Sequence, residues 1–237
     1  MMRKHILSLI LFAVVSVALA QQKVSVKIWK GGNSTTIEQI DSVTFPNTTH
    51  QMVSVDLGLS VKWGACNVGA ETPEAYGNYY AWGETGIKKV YNWEKYKYAD
   101  AASATMTKYN STDGKTILET NDDAATVVLG STWRIPTTSE MKELVEKCTW
   151  KWQEDEENGH YGYWVTGPNG NRIFLPAGGC MNDDSPYAVG FNGYYWTSSV
   201  SSVDDRLARH LFFDYNNING TNVSQRYYGF CIRPVKP

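Results

Sequence analysis

Cysteine and histidine are scarce in this chain, and where they occur they are scattered. The 237 residues include four of each. Cys66, Cys148, Cys180 and Cys231 have neither C-x-x-C nor metal-ligand spacing, and His5, His50, His160 and His210 lie far apart, which argues against a zinc site. No motif calls for a cofactor. An excess of basic charge is also missing: 22 Lys and Arg face 24 Asp and Glu, and the net charge of -2 becomes -4 if Arg3 and Lys4 leave with the first twenty residues. That balance argues against a nucleic-acid footprint. Long apolar runs are lacking too. The longest, Ile6 to Val17, falls short of the roughly 20 residues that a membrane span needs, and nothing later approaches it, so no stable span is expected.

The first twenty residues have the three parts of a secretory signal peptide. Arg3, Lys4 and His5 form a basic start, the apolar run follows, and Ala18-Leu19-Ala20 is a small-x-small cleavage site. A buried core helix is the alternative, disfavoured because residues 6–20 are apolar all round and abut a polar strand. Gln21 and Gln22 follow the expected cut where a lipoprotein needs Cys, so no lipid anchor is expected. The product is expected to be secreted and to act outside the cell, at its surface or in the periplasm. In such an oxidising compartment the four cysteines allow three full pairings, or remain as buried free thiols; their spacing does not choose.

What is abundant is ring and turn: 9 Trp, 15 Tyr and 20 Gly against only 19% charged residues. That mixture suits short strands joined by tight turns, with aromatics filling the core. Residues 21–46 read as a small β-rich unit, with Val24, Val26 and Ile28 alternating, a turn at Gly31-Gly32-Asn33, and a second apolar set from Ile37 to Phe45. Residues 47–52 read as a polar linker, and residues 53–237 as the main domain. Within it, alternate apolar positions from Val53 to Trp63 predict a strand or hairpin bent near Gly58. Asp122 and Asp123 open a short helix that closes at Gly130.

Thr137 and Glu140 have capping-box spacing, and Met141, Leu144, Val145 and Cys148 share one helical face, which predicts a helix with Cys148 turned to the core. The acids Glu154 to Glu157 read as a solvated loop. Strands are predicted at Tyr161 to Thr166, Arg172 to Pro176, Tyr194 to Ser199, Leu207 to Phe213 and Arg226 to Val235, with a hairpin turn at Pro168 to Asn171 and a polar turn at Asn216 to Asn222. Several short strands around one or two helices make an α+β domain. Arg134 and Arg233 read as guanidinium forks tying loops to the core through carbonyls or a carboxylate such as Glu140.

Six phrases in order resemble one family. They are Val55 to Trp63, Cys66 to Ala70, Tyr80-Ala81-Trp82-Gly83-Glu84, Trp133-Arg134-Ile135-Pro136-Thr137, Tyr195-Trp196-Thr197-Ser198-Ser199 and Tyr228 to Val235. Together they are similar to the Fibrobacter succinogenes major paralogous domain over about residues 53 to 236. Val24 to Phe45 resembles a short leader module of secreted Bacteroidetes proteins. The resemblance implies a C-type-lectin-like fold of short antiparallel strands, one or two helices and long loops, shared more distantly with the formylglycine-generating sulfatase-modifying enzymes. Fold does not fix function.

The expected role is a noncatalytic binding or adhesion module that recognises a glycan or a surface protein. Sugars present apolar ring faces and hydroxyls, so their sites need aromatic planes beside Asn, Asp or Arg. The candidates are Tyr194, Trp196, Arg206, Asn216, Asn217, Asn219, Arg226 and Tyr228. The competing reading makes the rings core and the asparagines turn residues that cap their own backbone. The Glu-Pro-Asn and Trp-Asn-Asp phrases of calcium-dependent lectins are absent, although Asn182-Asp183-Asp184 or Asp204-Asp205 offer oxygen ligands. Two alternatives stand: a structural subunit of a surface assembly, whose C-terminal strand or N-terminal hairpin pairs with a neighbour, and an enzyme related to the sulfatase modifiers, with Cys180 and Cys231 as its thiols. No catalytic set is marked. Ser198 and Ser199 read as strand-end hydrogen-bonders, and His160 and His210 as surface residues.

Overall fold

The computed structural model describes residues 26–30, 33–37, 52–100, 105–155 and 160–237, and the chain divides into two compact units, Met1–Thr49 and His50–Pro237. In the first, strands β1 (Val26–Lys30) and β2 (Asn33–Ile37) pair antiparallel, with Val26 opposite Ile37 and Lys30 opposite Asn33. The expected signal peptide, the segment from Ile40 to Phe45 and most of the linker lie outside the described residues.

The second unit is α+β, built from small antiparallel sheets and two helices. Its first strands, β3 (Ser54–Val55) and β4 (Lys62–Gly64), form a hairpin with Val55 opposite Trp63. The chain turns between them through Gly58 at φ 75°, a left-handed conformation that glycine adopts without a Cβ clash. Two short strands follow, β5 (Ala99–Asp100) and β6 (Thr105–Met106).

Helix α1 (Ala124–Leu129) starts where Asp123 accepts a hydrogen bond from Thr126 N at 2.9 Å, and it stops at Gly130. Helix α2 (Thr138–Lys147) has the capping box that the spacing predicts: Thr137 Oγ1 accepts from Glu140 N at 3.3 Å, and Glu140 Oε2 accepts from Thr137 N at 2.8 Å. Arg134 completes this corner with a two-pronged grip on Glu140. Cys148 forms the C-terminal cap of α2, half-buried against the core.

The next sheet is a meander of β7 (Thr149–Asp155), β8 (His160–Thr166) and β9 (Arg172–Pro176). Here one expectation needs correcting. Glu154 and Asp155 are not loop residues; they extend β7 opposite Tyr161 and His160, because the alternating Trp150 and Trp152 commit the segment to a strand first. A small hairpin, β10 (Cys180–Asn182) and β11 (Ser185–Tyr187), leads to the central sheet of β12 (Gly193–Val200), β13 (Leu207–Phe213) and β14 (Ile218–Gln225).

The polar turn expected at Asn216 to Asn222 is shorter than its composition suggests, since β14 begins at Ile218 and takes in Asn219 and Asn222. The strand expected from Arg226 to Val235 is also revised. Only β15 (Val235–Lys236) is a strand, pairing with β4, while Gly229, Phe230 and Cys231 make isolated bridges to three different partners.

Two apolar clusters form the core, and β12 lies between them. Successive strand residues face opposite ways. Tyr195 therefore enters one cluster with Leu57, Trp63, Leu144, Leu175 and Phe213, and Trp196 enters the other with Trp82, Tyr96, Tyr109 and Phe230. Gly193 is required by this packing, since a Cβ there would sit 2.1 Å from the Phe213 ring.

Two fully buried arginines hold loops to the core without a carboxylate partner. Arg233 donates to the carbonyls of Gly64, Ala65 and Phe174 and to Asn67 Oδ1, the carbonyl tie expected for it. Arg226 donates to the Tyr96 hydroxyl at 2.9 Å and to the carbonyls of Asp205, Lys108 and Tyr109, with its guanidinium 4.7 Å from the Trp82 ring centre. Among the described residues no helix is long and apolar enough to cross a membrane.

Candidate functional site

The eight expected site residues fall into four places. Trp196 and Arg226 are enclosed, each 0% exposed, and this corrects their assignment to a ligand surface. Trp196 stacks on Phe230 at 4.1 Å and donates its indole N–H to Tyr80 O, while Arg226 spends its donors on four oxygens of the protein. Arg206 is exposed but engaged, with Nε and Nη2 both on the Asp204 carboxylate. It borders a 650 Å³ cleft with Lys115 and Asp205. The remaining five divide between an aromatic face and a groove.

The aromatic face carries Tyr194 and Tyr228, both half-buried. Ring contacts link them in one row: Trp93 to Tyr227 at 4.9 Å, Tyr227 to Tyr228 at 4.6 Å, Tyr228 to Phe230 at 5.9 Å, Phe230 to Tyr194 at 5.0 Å, and Tyr194 to Phe212 at 5.3 Å. Buried Phe230 roots the row, and the other five rings keep part of their surface in solvent. Polar groups flank it. Asn192 Nδ2 donates to the Tyr194 hydroxyl at 3.1 Å, and Asn92 Nδ2 donates to Asp183 Oδ1 at 2.8 Å.

Burial raises the Tyr194 phenol, the Asn192 bond works against that, and nearby Cys180, Tyr187 and Tyr228 add to the rise. For Tyr227, too, burial leads, with the Tyr228 hydroxyl and the Asp183 charge pushing the same way. These phenols are therefore neutral donors and acceptors near pH 7. Two non-glycine residues bracket β11 in left-handed conformations, Asp183 in the hairpin turn at φ 50° and Ala188 just after the strand at φ 54°. Tyr187, the last residue of β11, and Phe191 beyond it are 63% and 74% exposed.

The groove, 790 Å³, lies between α2 and β14 and contains Asn216, Asn217 and Asn219. Asp214 organises its turn, accepting from the backbone N–H of both Asn216 and Asn217 at 2.8 Å and from Asn217 Nδ2 at 3.0 Å. Asn219 Oδ1 accepts from Thr221 N at 2.9 Å. Asn219 thus caps local backbone, as the competing reading expects, while the Asn217 side chain is spent on the Asp214 carboxylate.

Groups expected to be reactive are quenched. All four cysteines are free thiols. Burial pushes Cys180 up to about 11 and Cys231 up to about 12, and at Cys231 the Arg233 guanidinium opposes the rise while nearby Cys180 adds to it. His210 is not a surface residue but 0% exposed, packed 4.9 Å from Phe230, because its place opposite Trp196 on β13 turns it inward. Asp122, which the sequence places only at the start of a helix, takes hydrogen bonds from four different side chains. Burial works to raise it, but donors on Lys108, Tyr98, Tyr109 and Lys97 outweigh that and hold it far below the usual carboxylate range. The oxygen-rich stretches are likewise engaged, Asp204 by Arg206 and Asp183 by Asn92. No family model, no curated protein and no solved structure matches this chain.

Proposed function

We propose that this chain is a secreted or cell-surface noncatalytic binding module, and that it holds a neutral glycan against the face of Tyr194 and Tyr228. The observation that carries this reading is the row of part-exposed rings from Trp93 to Phe212, bordered by the amides of Asn92 and Asn192, the Asp183 carboxylate and neutral phenols. Ring faces take the apolar side of a pyranose, and fixed amides and hydroxyls read its hydroxyl groups. A rigid turn suits this work, since a preorganised surface loses little entropy when it binds. The noncatalytic part rests on chemistry: the buried thiols are protonated at neutral pH, and Asp122 has its lone pairs filled by four donors. The likeness to lectin-like domains of the Fibrobacter succinogenes major paralogous type belongs to the same proposal.

The test is calorimetric titration of the full chain with neutral oligosaccharides of several linkages. Tyr187→Ala is the informative variant, because that ring is 63% exposed and its loss spares the core. One stacking contact is worth about 0.5–1.5 kcal/mol, so affinity should fall roughly two- to tenfold while thermal unfolding is unchanged. Unchanged affinity in both Tyr187→Ala and Tyr228→Ala would remove the aromatic face from the account.

A further inference from the structure

We infer that the groove between α2 and β14 is a docking site for an extended peptide from another protein, one that carries an acidic and a basic side chain two residues apart. The groove meets the aromatic face only at Phe212, and the strand edge and charges argued from below belong to α2 and β14, so this inference does not rest on glycan binding.

The first ground is the strand edge. Among the described residues β14 pairs only with β13, whereas the far edge of the sheet, at β12, is met by bridges from Gly179, Cys231 and Ile117. Eight residues long, β14 reads Ile-Asn-Gly-Thr-Asn-Val-Ser-Gln, with no charge and no proline. Strand edges are ordinarily guarded by those residues against pairing with other chains. Here side chains occupy backbone groups instead: Asn219 Oδ1 takes Thr221 N at 2.9 Å, Asn222 Oδ1 takes Val223 N at 3.0 Å, and Arg209 Nη1 from β13 donates to Thr221 O at 3.3 Å, a bond that an incoming N–H must displace. Thr221 and Val223 are two residues apart, on one side of the strand. Incoming carbonyls can replace those amides, which then turn to water at little cost.

The second ground is charge. Lys142 and Glu146 line the groove from α2, both exposed and neither in an ion pair, although the neighbouring pair Glu143 and Lys147 is closed at 2.8 Å. Four helical residues rise about 6 Å, and two strand residues rise about 6.6 Å. Alternate side chains of a strand laid along the helix therefore meet one cation and one anion. The floor is close-fitting, since a Cβ on Gly220 would touch Val145 Cγ2 at 3.0 Å, and Phe212 adds an apolar patch. A cleft of 790 Å³ is in the range of ligand sites. An edge strand beside a helix is a known arrangement for peptide capture by strand addition.

The probes are fluorescein-labelled Thr-Val-Glu-Val-Lys-Val-Thr, the same peptide with Glu and Lys exchanged, and a neutral peptide with Gln at both places. Anisotropy titrations on the full chain should show one charged order binding at least about tenfold more tightly than the neutral peptide. The double variant Lys142→Glu, Glu146→Lys should reverse the preference between the two orders. Amide NMR shifts should fall on β14 and α2. Equal binding of all three peptides, no binding at millimolar concentration, shifts elsewhere, or a preference that survives the charge swap would each overturn the inference. So would displacement of the peptide from β14 by a neutral oligosaccharide, which would assign the groove to sugar.

Discussion

His210 gives the fold a built-in sensitivity to mild acid. Its imidazole is fully buried between Tyr194, Trp196 and Phe230, at ring distances of 5.9, 5.8 and 4.9 Å; neither ring nitrogen makes a hydrogen bond of good geometry, and the Ala208 backbone beside it favours the charged form by less than burial opposes it. Burial disfavours the charged form and pushes the group from 6.5 down to about 3. The unfolded chain therefore takes up a proton as the pH drops below 6.5, while the folded chain resists until near 3, and stability is lost across that interval. At about 1.36 kcal/mol per unit, the loss from this one group between pH 7 and pH 5 is about 2 kcal/mol. His210→Leu keeps a similar volume and removes the titration. Urea unfolding followed by tryptophan fluorescence, run on both proteins at the two pH values, isolates the effect from carboxylates common to both. The stability difference between them should move by about 2 kcal/mol in the variant's favour on going to pH 5. Equal pH dependence in the two proteins would refute the reasoning.

Arg226→Met should destabilise the protein by about 3 kcal/mol or more in thermal or urea unfolding, because it leaves four oxygens, two in buried and two in part-buried bonds, short of a donor; Arg226→Lys should rescue little, since one ammonium cannot reach them all. With Cys180 at about 11 and Cys231 at about 12, both thiols should resist a disulfide reagent at pH 8 in the native protein, and all four cysteines should react within minutes in denaturant. Rapid native labelling at Cys180 or Cys231, read by peptide mass spectrometry, would contradict the burial argument.

Local rules made much of the fold legible. Capping at Thr137 and Asp123, the turn at Gly58 and the alternation in β8, β9, β12 and β13 all depend on residues close in sequence, so the pattern carries them. The site was harder to read. Trp196 and Arg226 have the composition of a sugar site, yet their environment is set by Phe230, Trp82 and Tyr96, far away in the chain. β12 is covered on both faces, a condition that alternation alone does not reveal, and so His210 opposite it also went inside. Tyr187 and the Asn92 contact with Asp183 were missed for the same reason, since their relation to Tyr194 and Tyr228 exists only after the β10 to β11 hairpin closes. One signal was available: Asp183-Asp184 followed by Ser185-Pro186-Tyr187 marks a tight turn leading into a short strand that ends on an aromatic residue.

A glycan held against the aromatic face must perturb its rings, and NMR observes them during binding. Titration of a neutral oligosaccharide into protein with labelled aromatic side chains should move the resonances of Trp93, Tyr187, Tyr194 and Tyr228 together along one saturable curve, leaving Trp63 and Tyr195 in the opposite cluster unmoved. Saturable binding that shifts other residues and leaves those four rings still would contradict the account.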